Sequence, residues 1–398
     1  MVETERDDTA RELVDATLEE LLARVDPRST DPKEFFGAQF DAGLANVAFP
    51  VGHGGLGLPA PLQRRVDERL RAAGAKSPVM RNPLGVGMGL PLLISHGTAA
   101  QQERFLRPCF TGAEIWCQLF SEPGAGSDVA SLSTRAVRQP DGGWRVDGQK
   151  VWSSLAHKAS VGMLLARCDP SRPKHEGLVV LLLDMTAPGV TVRPLREITG
   201  EAVFNEVFFA GVDVPDDRRV GEPGEGWRVA RTILTAERVM LSGAGAGTGP
   251  DVVGGSRIEK LIERARANGT WDDALVRDEL VRRFVEGQVI RQTNIRSRQR
   301  RTRGLPPLHG AITKLSQGLY NRRLQATALR VSGPAANAWR TGDADGAGTA
   351  QGYLRAQANT IEGGTPEMLR NTIGERLLGL PRDEGPARDT PWSQLRKN

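Results

Sequence analysis

Apolar residues near the start of the chain fall three or four positions apart, at Val14, Leu18, Leu21, Leu22 and Val25. That spacing puts them on one face of an amphipathic helix. Two helix-start signals follow. Asp31 stands directly before a proline, and Thr98 is followed three positions later by Gln101, as in a capping box. The pattern predicts helices through residue 115, interrupted by a glycine-rich loop at residues 52–57.

The pattern changes from about residue 116. Short apolar or alternating runs separated by turn residues predict strands, at Trp144–Val146, Val151–Trp152, Val161–Cys168, Gly177–Met185, Val190–Leu195 and Val203–Phe209. Several short strands in succession indicate a small barrel or sandwich. Helical spacing returns after residue 224, at Val229, Ile233 and Leu234 and again at Leu280, Phe284 and Ile290. We therefore expect three domains: helical over residues 1–115, β over 116–222 and helical over 223–398.

The composition is typical of a soluble globular protein. It has 398 residues, of which 39% are hydrophobic and 25% charged, which is enough for two or three domains with a sizeable core. No apolar run approaches the roughly 18 residues of a membrane span. The acidic, helix-patterned residues 1–15 resemble neither a signal nor a transit peptide. Three cysteines without CxxC spacing argue against a disulfide framework, so we expect a cytoplasmic protein.

The chain is basic, with a formal charge of +5, and only eight of its 53 basic residues are lysines. Such a surplus would suit an anionic ligand such as CoA, or nucleic acid, although codon composition explains a high arginine content equally simply. The densest run, at 296–303, has no interleaved aromatic residues for base stacking. We therefore expect no nucleic-acid partner.

Two other kinds of site are disfavoured by spacing. The five histidines are scattered and lack HExxH or Cys/His ligand spacing, so no metal site is expected. The glycine run at 243–249 follows a helix and lacks GK[ST], so a mobile interhelical loop is favoured over a nucleotide-binding loop. The loop at 52–57 has no accompanying GxSxG nucleophile.

The most informative segments are 118–128, which reads QLFSEPGAGSD, and 148–154, which reads GQKVWSS. Alone, the first is a turn whose small residues could aim backbone N–H groups at a polar ligand. Together they resemble the TEPxAGSD and NGxKxWxT motifs of acyl-CoA dehydrogenases. The resemblance continues in order through most of the chain, at residues 214–215, 220–222, 226–227, 236–238, 360–367 and 375–381.

The resemblance implies an acyl-CoA dehydrogenase fold of N-terminal helical domain, central β-barrel and C-terminal four-helix bundle, with FAD as cofactor. It implies that Gln118, Phe120 and Ser121 line the flavin. Trp152 would pack against one face of the ring, as apolar stacking favours. Ser154 takes the place of the family's usual threonine, which brings a hydroxyl near flavin N5.

The same resemblance implies further ligand contacts. Ser127 would lie where the thioester and pantetheine enter. Arg300 would reach the FAD pyrophosphate of a neighbouring subunit, although a solvated helix arginine is an alternative. Thr365 and Glu367 fall at cofactor positions near the end of the chain. One segment departs from the family, because residues 331–336 lack its QxxGGxG pattern.

Removing the α proton of a thioester requires a carboxylate in a pocket that excludes water. Some family members carry this base just before Gly-Thr in the last motif, where this chain has Gly363, followed by Gly364 and Thr365. Others, such as the isovaleryl and long-chain types, carry it before an arginine on the first helix of the C-terminal domain. Here that residue is Glu237, with Arg238 beside the substrate. Glu362 is the alternative base, and the Gly363 amide would donate to the thioester oxygen.

The resemblance thus implies that an acyl-CoA is oxidised to its trans-2-enoyl-CoA and that the electrons pass to an electron-transfer flavoprotein. It also implies a homodimer or homotetramer, with a heterotetramer as a further possibility. A flavin oxidase or monooxygenase on the same fold is one alternative, and a non-catalytic partner subunit is another. The acyl group stays open among branched, long-chain and steroid-derived thioesters.

Overall fold

The computed structural model describes residues 2–241, 255–303, 305, 310–338, 344–382, 385–387 and 389–395. The predicted loop at 243–249 lies outside these residues. The chain forms two compact units. The first comprises residues 1–195, 202–233 and 386–398, and the second comprises residues 196–201 and 234–385.

The first unit begins with the helices that the periodicity predicts, at Val2–Arg24 (α1), Pro32–Asp41 (α2), Gln63–Ala72 (α3), Pro78–Arg81 (α4), Leu90–His96 (α5) and Ala99–Thr111 (α6). Both predicted starts are confirmed. The Asp31 side chain accepts from Lys33 N at 2.9 Å, and Thr98 and Gln101 form a reciprocal capping box. Val14, Leu18 and Leu21 are buried, as one face of α1 requires.

The strands of the first unit are Trp116–Leu119 (β1), Arg135–Arg138 (β2), Trp144–Lys150 (β3), Val161–Arg167 (β4), Leu178–Asp184 (β5), Val190–Pro194 (β6), Asn205–Val214 (β7) and Arg219–Val220 (β8). They form one sheet in the order β6-β7-β3-β2-β4-β5-β8, and β1 pairs in parallel with β4. One predicted strand is wrong. Residues 151–152 are not extended, because Trp152 has a φ of 59°, which a strand cannot accommodate.

The remaining helices are Gly226–Leu241 (α7), Ile258–Ala267 (α8), Ala274–Thr302 (α9), Gly310–Ser332 (α10), Ala344–Ala356 (α11) and Pro366–Leu377 (α12). The second unit takes in α8 to α12 and the end of α7 from residue 234. In this unit α10 contacts α8, α9, α11 and α12. Its apolar core includes Leu261, Leu280, Tyr320 and Leu324. The predicted succession of helices, sheet and helices is therefore confirmed.

A short segment, residues 389–395, packs against the β region of the first unit, and we call it the tail. Trp392 N donates to Arg172 O at 2.9 Å, and Ser393 N donates to Pro170 O at 3.0 Å. The Arg167 guanidinium lies 4.7 Å from the centre of the Trp392 ring, a cation–π geometry. Among the described helices, none combines the length and apolarity that a membrane crossing needs.

Candidate active site

A buried ion pair joins the two informative motifs of the first unit. Lys150, at the end of β3, is fully buried and Glu122 is 8% exposed. Lys150 Nζ donates to Glu122 Oε1 at 2.8 Å and to Phe120 O at 2.9 Å. The Glu122 carboxylate also accepts from Ser133 N at 2.6 Å and Thr134 N at 2.9 Å. The lysine of one motif thus holds the segment of the other motif that runs through Phe120.

Lys150 and Glu122 stabilise each other's ionised form. Burial lowers the pKa of Lys150 to about 8, and the carboxylate of Glu122 opposes that shift. Burial by itself would raise the pKa of Glu122, but the charge of Lys150 and the surrounding hydrogen bonds outweigh it and lower that pKa. Because the hydrogen-bond geometry suits a charged pair, we take both groups to be ionised at neutral pH.

The segment after β3 is constrained. Val151 N donates to Ser121 O at 2.9 Å, so the residue directly before Trp152 is hydrogen-bonded to the Phe120–Ser121 segment. Trp152 and Leu155 both have a φ of 59°, in the left-handed region that large side chains rarely adopt. Such conformations cost about 1–3 kcal/mol each and cluster at functional sites. Trp152 is 60% exposed, and its ring meets the Phe204 ring edge-on, with centroids 5.9 Å apart.

Asn205 holds this segment in place. Its backbone exchanges two hydrogen bonds with Ser153, with N···O distances of 3.0 and 3.1 Å. Its side-chain Nδ2 donates to Ser153 O at 3.0 Å and lies 3.2 Å from His157 Nδ1. Asn205 is completely buried. The sequence analysis did not single out Asn205, since an asparagine beside a strand looks like an ordinary turn residue.

The predicted flavin contacts of the first unit, and the predicted substrate contact Ser127, differ in exposure. Phe120 is buried, Gln118, Ser121 and Ser154 are half-buried, and Ser127 is exposed. A rigidly held, exposed indole with hydroxyl side chains nearby fits a flat conjugated ring such as a flavin. The residues present are therefore compatible with FAD.

The loop that carries Ser127 is anchored at Asp128, whose carboxylate accepts from Ser131 Oγ at 2.6 Å and from Lys174 Nζ at 2.7 Å. A cavity of about 350 Å³ opens beside this loop. Its walls are formed by Glu122–Gly124, Ser131, Ser133, Thr134, Gly148, Gln149, Trp392 and Leu395. The tail therefore contributes two side chains to a cavity of the β region.

In the second unit, Glu237 and Arg238 are half-buried near the end of α7. Gly363 and Gly364 have φ values of 66° and 107°, conformations that suit glycine. The alternative base, Glu362, is already engaged. Arg355 Nη2 donates to its Oε2 at 3.0 Å, and Asn359 Nδ2 donates to its Oε1 at 2.5 Å.

A buried lysine that the sequence analysis missed interacts electrostatically with both candidate bases. Lys314, on α10, is 3% exposed, and its Nζ donates to Asn359 O at 2.6 Å. Burial lowers the pKa of Lys314, while the carboxylates of Glu362 and Glu237 oppose that shift and Arg355 adds to it. The structure thus brings both candidate bases close enough to act electrostatically on one ammonium group.

The remaining predicted cofactor residues of this unit lie elsewhere on it. Thr365 caps α12, where its side chain accepts from Met368 N at 3.4 Å, and Glu367 is exposed in the first turn. Hydrogen bonds to its own backbone and to Thr365 lower the pKa of Glu367. Arg300 lines an open cavity of about 550 Å³ on α9 together with Arg296 and Arg303. Their assignment to FAD stays a prediction.

Comparison with known proteins identifies the family. Three family models match in order: the acyl-CoA dehydrogenase N-terminal domain at residues 3–113, the middle domain at 117–212 and the C-terminal domain at 224–378. Together they span most of the chain. The residues around Trp152 lie in the middle-domain match, and Glu237, Lys314 and Gly363 lie in the C-terminal match.

Two relatives from Mycobacterium tuberculosis are similar throughout most of the chain. Acyl-CoA dehydrogenase FadE34 is 40% identical over 361 residues, covering 86% of this chain but only 45% of FadE34. Acyl-CoA dehydrogenase IpdE1 is 39% identical over 342 residues, covering 86% of each protein.

Solved structures show the same fold. The Tcur3481–Tcur3483 steroid ACAD superposes with a TM-score of 0.72 at 26% identity, over 94% of this chain and 98% of that chain. The ChsE4–ChsE5 complex of M. tuberculosis gives a TM-score of 0.70 at 25% identity, over 95% and 98%. The protein is therefore an oxidoreductase that belongs to the acyl-CoA dehydrogenase family.

Proposed function

We propose that the protein uses FAD to oxidise an acyl-CoA thioester to the trans-2-enoyl-CoA and passes the electrons to an electron-transfer flavoprotein. The observation that carries the proposal is the exposed Trp152, held in a strained conformation by Asn205 and joined through Val151 to Ser121. Strain of this kind persists only where the surrounding structure imposes it. We assign Trp152, Ser154, Phe120, Ser121 and Gln118 to the flavin.

When bound, FAD supplies the acceptor for the hydride that leaves Cβ. The chain's own residues handle the proton and the developing charge. Glu237 takes the proton from Cα, and the Cα–H electron pair becomes part of the new double bond. The Gly363 N–H donates to the thioester oxygen, where negative charge builds up during proton removal. Arg238, Gly364 and Ser127 are assigned to thioester and pantetheine binding.

We assign the base to Glu237 from the family resemblance, and the contacts of Glu362 support an ordering role for that residue. Both Glu362 oxygens accept hydrogen bonds, one from Arg355 and one shared between Arg355 and Asn359. Hydrogen bonds to both oxygens hold the Glu362 carboxylate in one orientation, toward Arg355 and Asn359. Glu362 is therefore suited to ordering the turn before Gly363.

For the substrate we propose a bulky, steroid-derived acyl-CoA. The support is the likeness to the Tcur3481–Tcur3483 steroid ACAD. We further propose an oligomer, because both similar structures contain two different proteins. The arginine-lined cavity on α9 supports a role for Arg300 at the FAD pyrophosphate of a neighbouring subunit, since guanidinium groups pair well with phosphate. Thr365 and Glu367 complete the proposed cofactor contacts.

The first test is the visible spectrum of the purified protein before and after anaerobic addition of single thioesters. A suitable panel contains butanoyl-, octanoyl-, hexadecanoyl-, isovaleryl- and cholyl-CoA. Bleaching of a flavin spectrum by cholyl-CoA, with little effect of the short straight chains, would support both the reaction and the substrate class. A flavin that no thioester bleaches would contradict the dehydrogenase assignment. A colourless protein that gains FAD only with a second chain would indicate a partner subunit.

The base is tested with Glu237→Gln. The amide cannot accept the α proton, so we expect FAD and acyl-CoA still to bind while flavin reduction slows by several orders of magnitude, beyond the roughly 10²–10⁴-fold typical of general-base catalysis alone. Stopped-flow absorbance measures the rate, and Glu362→Gln is the matched control. Reduction of Glu237→Gln at the wild-type rate would remove Glu237 from the mechanism. Rapid reoxidation of the reduced enzyme by air would indicate an oxidase instead.

A further inference from the structure

One face of α10 is polar although it is buried. Lys314, Gln317, Asn321 and Gln325 recur at helical spacing on this face, and none is more than 4% exposed. The face packs against the turn at Ala358–Thr360, which leads directly to Glu362 and Gly363. Most buried polar side chains are hydrogen-bonded, and on this face Lys314, Asn321 and Gln325 have defined partners.

Two residues of this face lie close to a single carbonyl group of the turn, that of Asn359. Lys314 Nζ donates to Asn359 O at 2.6 Å. One helical turn further on, a Cβ atom at Gly318 would lie only 2.6 Å from the same oxygen. A side chain at Gly318 would therefore push the turn away from α10. The lysine and the glycine together fix the position of the Asn359 carbonyl.

The Asn359 side chain extends the network in both directions. Its Nδ2 donates to Glu362 Oε1 at 2.5 Å, and its Oδ1 accepts from the Asn321 amide. Gln325 Nε2 donates to Asn321 Oδ1 at 3.2 Å. A connected chain of hydrogen bonds thus runs from the middle of α10 to the residue before Gly363.

Three charged groups act on the Lys314 ammonium, each from a different element. They are Glu237 on α7, Glu362 in the turn and Arg355 on α11. Arg355 forms an ion pair with Glu362 at 3.0 Å, so that carboxylate already has a cation beside it. The attraction between Lys314 and Glu237 is mutual, so the ammonium group of Lys314 also contributes positive potential at Glu237.

We propose that Lys314 is a positioning residue for the α-proton transfer: it fixes the turn that leads to Gly363 and Gly364, and its charge keeps Glu237 ionised. The proposal rests on the assignment of Glu237 as the base. A positive charge close to a carboxyl group favours the ionised form of that group. Lys314 acts through Glu237 and the Gly363 amide and does not itself touch the substrate.

Two variants separate the two roles. Lys314→Gln removes the charge but retains a donor for Asn359 O, whereas Gly318→Ala retains the charge but displaces the turn. Lys260→Gln, an exposed lysine of the same unit, is the matched control. The assay follows flavin reduction by the thioester that bleaches the wild-type protein, across pH 5–9. Deuterium incorporation at Cα of that thioester from D₂O, measured by mass spectrometry, reports on the base independently of electron transfer.

We expect Lys314→Gln to move the acid limb of both profiles to higher pH, while Lys260→Gln leaves the limb in place. Gly318→Ala should lower the maximum rate about tenfold or more without moving the limb, because misplacing a catalytic donor by about 1 Å is costly. An unshifted limb in a folded Lys314→Gln protein would overturn the electrostatic role. A wild-type maximum rate in Gly318→Ala would overturn the positioning role, and that variant decides the matter if Lys314→Gln does not fold.

These outcomes are separable from the fate of the proposed function. If Glu237→Gln loses activity while Lys314→Gln has a wild-type profile, only the inference about Lys314 fails. If Glu237→Gln reduces its flavin at the wild-type rate, the assignment of the base fails, and with it the electrostatic role of Lys314.

Discussion

Replacing Lys150 by methionine should reveal how much the buried ion pair contributes to stability. The substitution retains an unbranched side chain of similar length but leaves Glu122, 8% exposed, without its cation. The carboxylate keeps its hydrogen bonds from Ser133 and Thr134. Breaking a buried pair by removing one partner typically costs about 3–5 kcal/mol. With a urea dependence of about 1–3 kcal/mol per M, the midpoint of unfolding should fall by roughly 1–5 M.

The loss should depend on pH in a characteristic way. In the wild-type protein the pKa of Glu122 is lowered, so its contribution to stability is present above its ordinary value near 4.5 and disappears as the pH falls below it. Without Lys150, burial is left as the main influence and raises that pKa. The unpaired carboxylate then destabilises the folded state most at high pH, so the deficit should shrink between pH 8 and pH 5.

Tryptophan fluorescence during urea unfolding at pH 5 and pH 8 measures both effects. Lys158→Met, at an exposed lysine of the same unit, is the matched control and should unfold with the wild type. Equal midpoints for Lys150→Met and Lys158→Met would refute the energetic argument. A deficit that is no smaller at pH 5 would refute the assignment of the loss to an unpaired Glu122.

Two further outcomes follow from the first unit. Asn205→Ala removes the amide that donates to Ser153 O, and we expect about 1–3 kcal/mol less stability together with faster loss of FAD on dialysis. Unchanged FAD retention would show that Trp152 keeps its conformation without this clamp. On acidification, the wild-type unfolding midpoint should fall steeply below about pH 5, because Glu122 and Asp216 both have lowered pKa values. The hydrogen bond with Arg219 is the largest cause of the lowered pKa of Asp216. Glu122→Gln should make the fall in the unfolding midpoint shallower. A midpoint that does not change with pH down to pH 3 would contradict the prediction.

The fold could be predicted from the sequence because its signals are local and repeated. Helical spacing, short strands and the motifs at 118–128 and 148–154 all indicate the same architecture. The strand predicted at residues 151–152 failed because Val-Trp is a good strand sequence. Only the pairing of Val151 with Ser121, and of Ser153 with Asn205, forces the chain out of the extended conformation.

The roles of Lys314 and Asn205 could not be predicted from such local sequence signals. A lysine, glutamine and asparagine stripe at helical spacing normally marks a solvated face, and nothing in the spacing shows that α10 is covered on that side too. The hydrogen bond from Arg355 to Glu362 could not be predicted either, because it depends on the turn between the two residues. The sequence could nominate carboxylates for the base, but the contacts that distinguish them arise only on folding.

The tail has a consequence for the order in which the protein can fold as it leaves the ribosome. The first unit is discontinuous in sequence, and residues 389–395 join it only after the whole of residues 234–385 has been synthesised. Until then Arg167 lacks its contact with Trp392, and the cavity beside the Ser127 loop lacks two of its wall residues. Since domains tend to fold in the order of their synthesis, the β region must wait, partly formed, for the last of its segments. A nascent chain halted near residue 385 should therefore be digested by protease more readily at residues 123–134 than the finished protein.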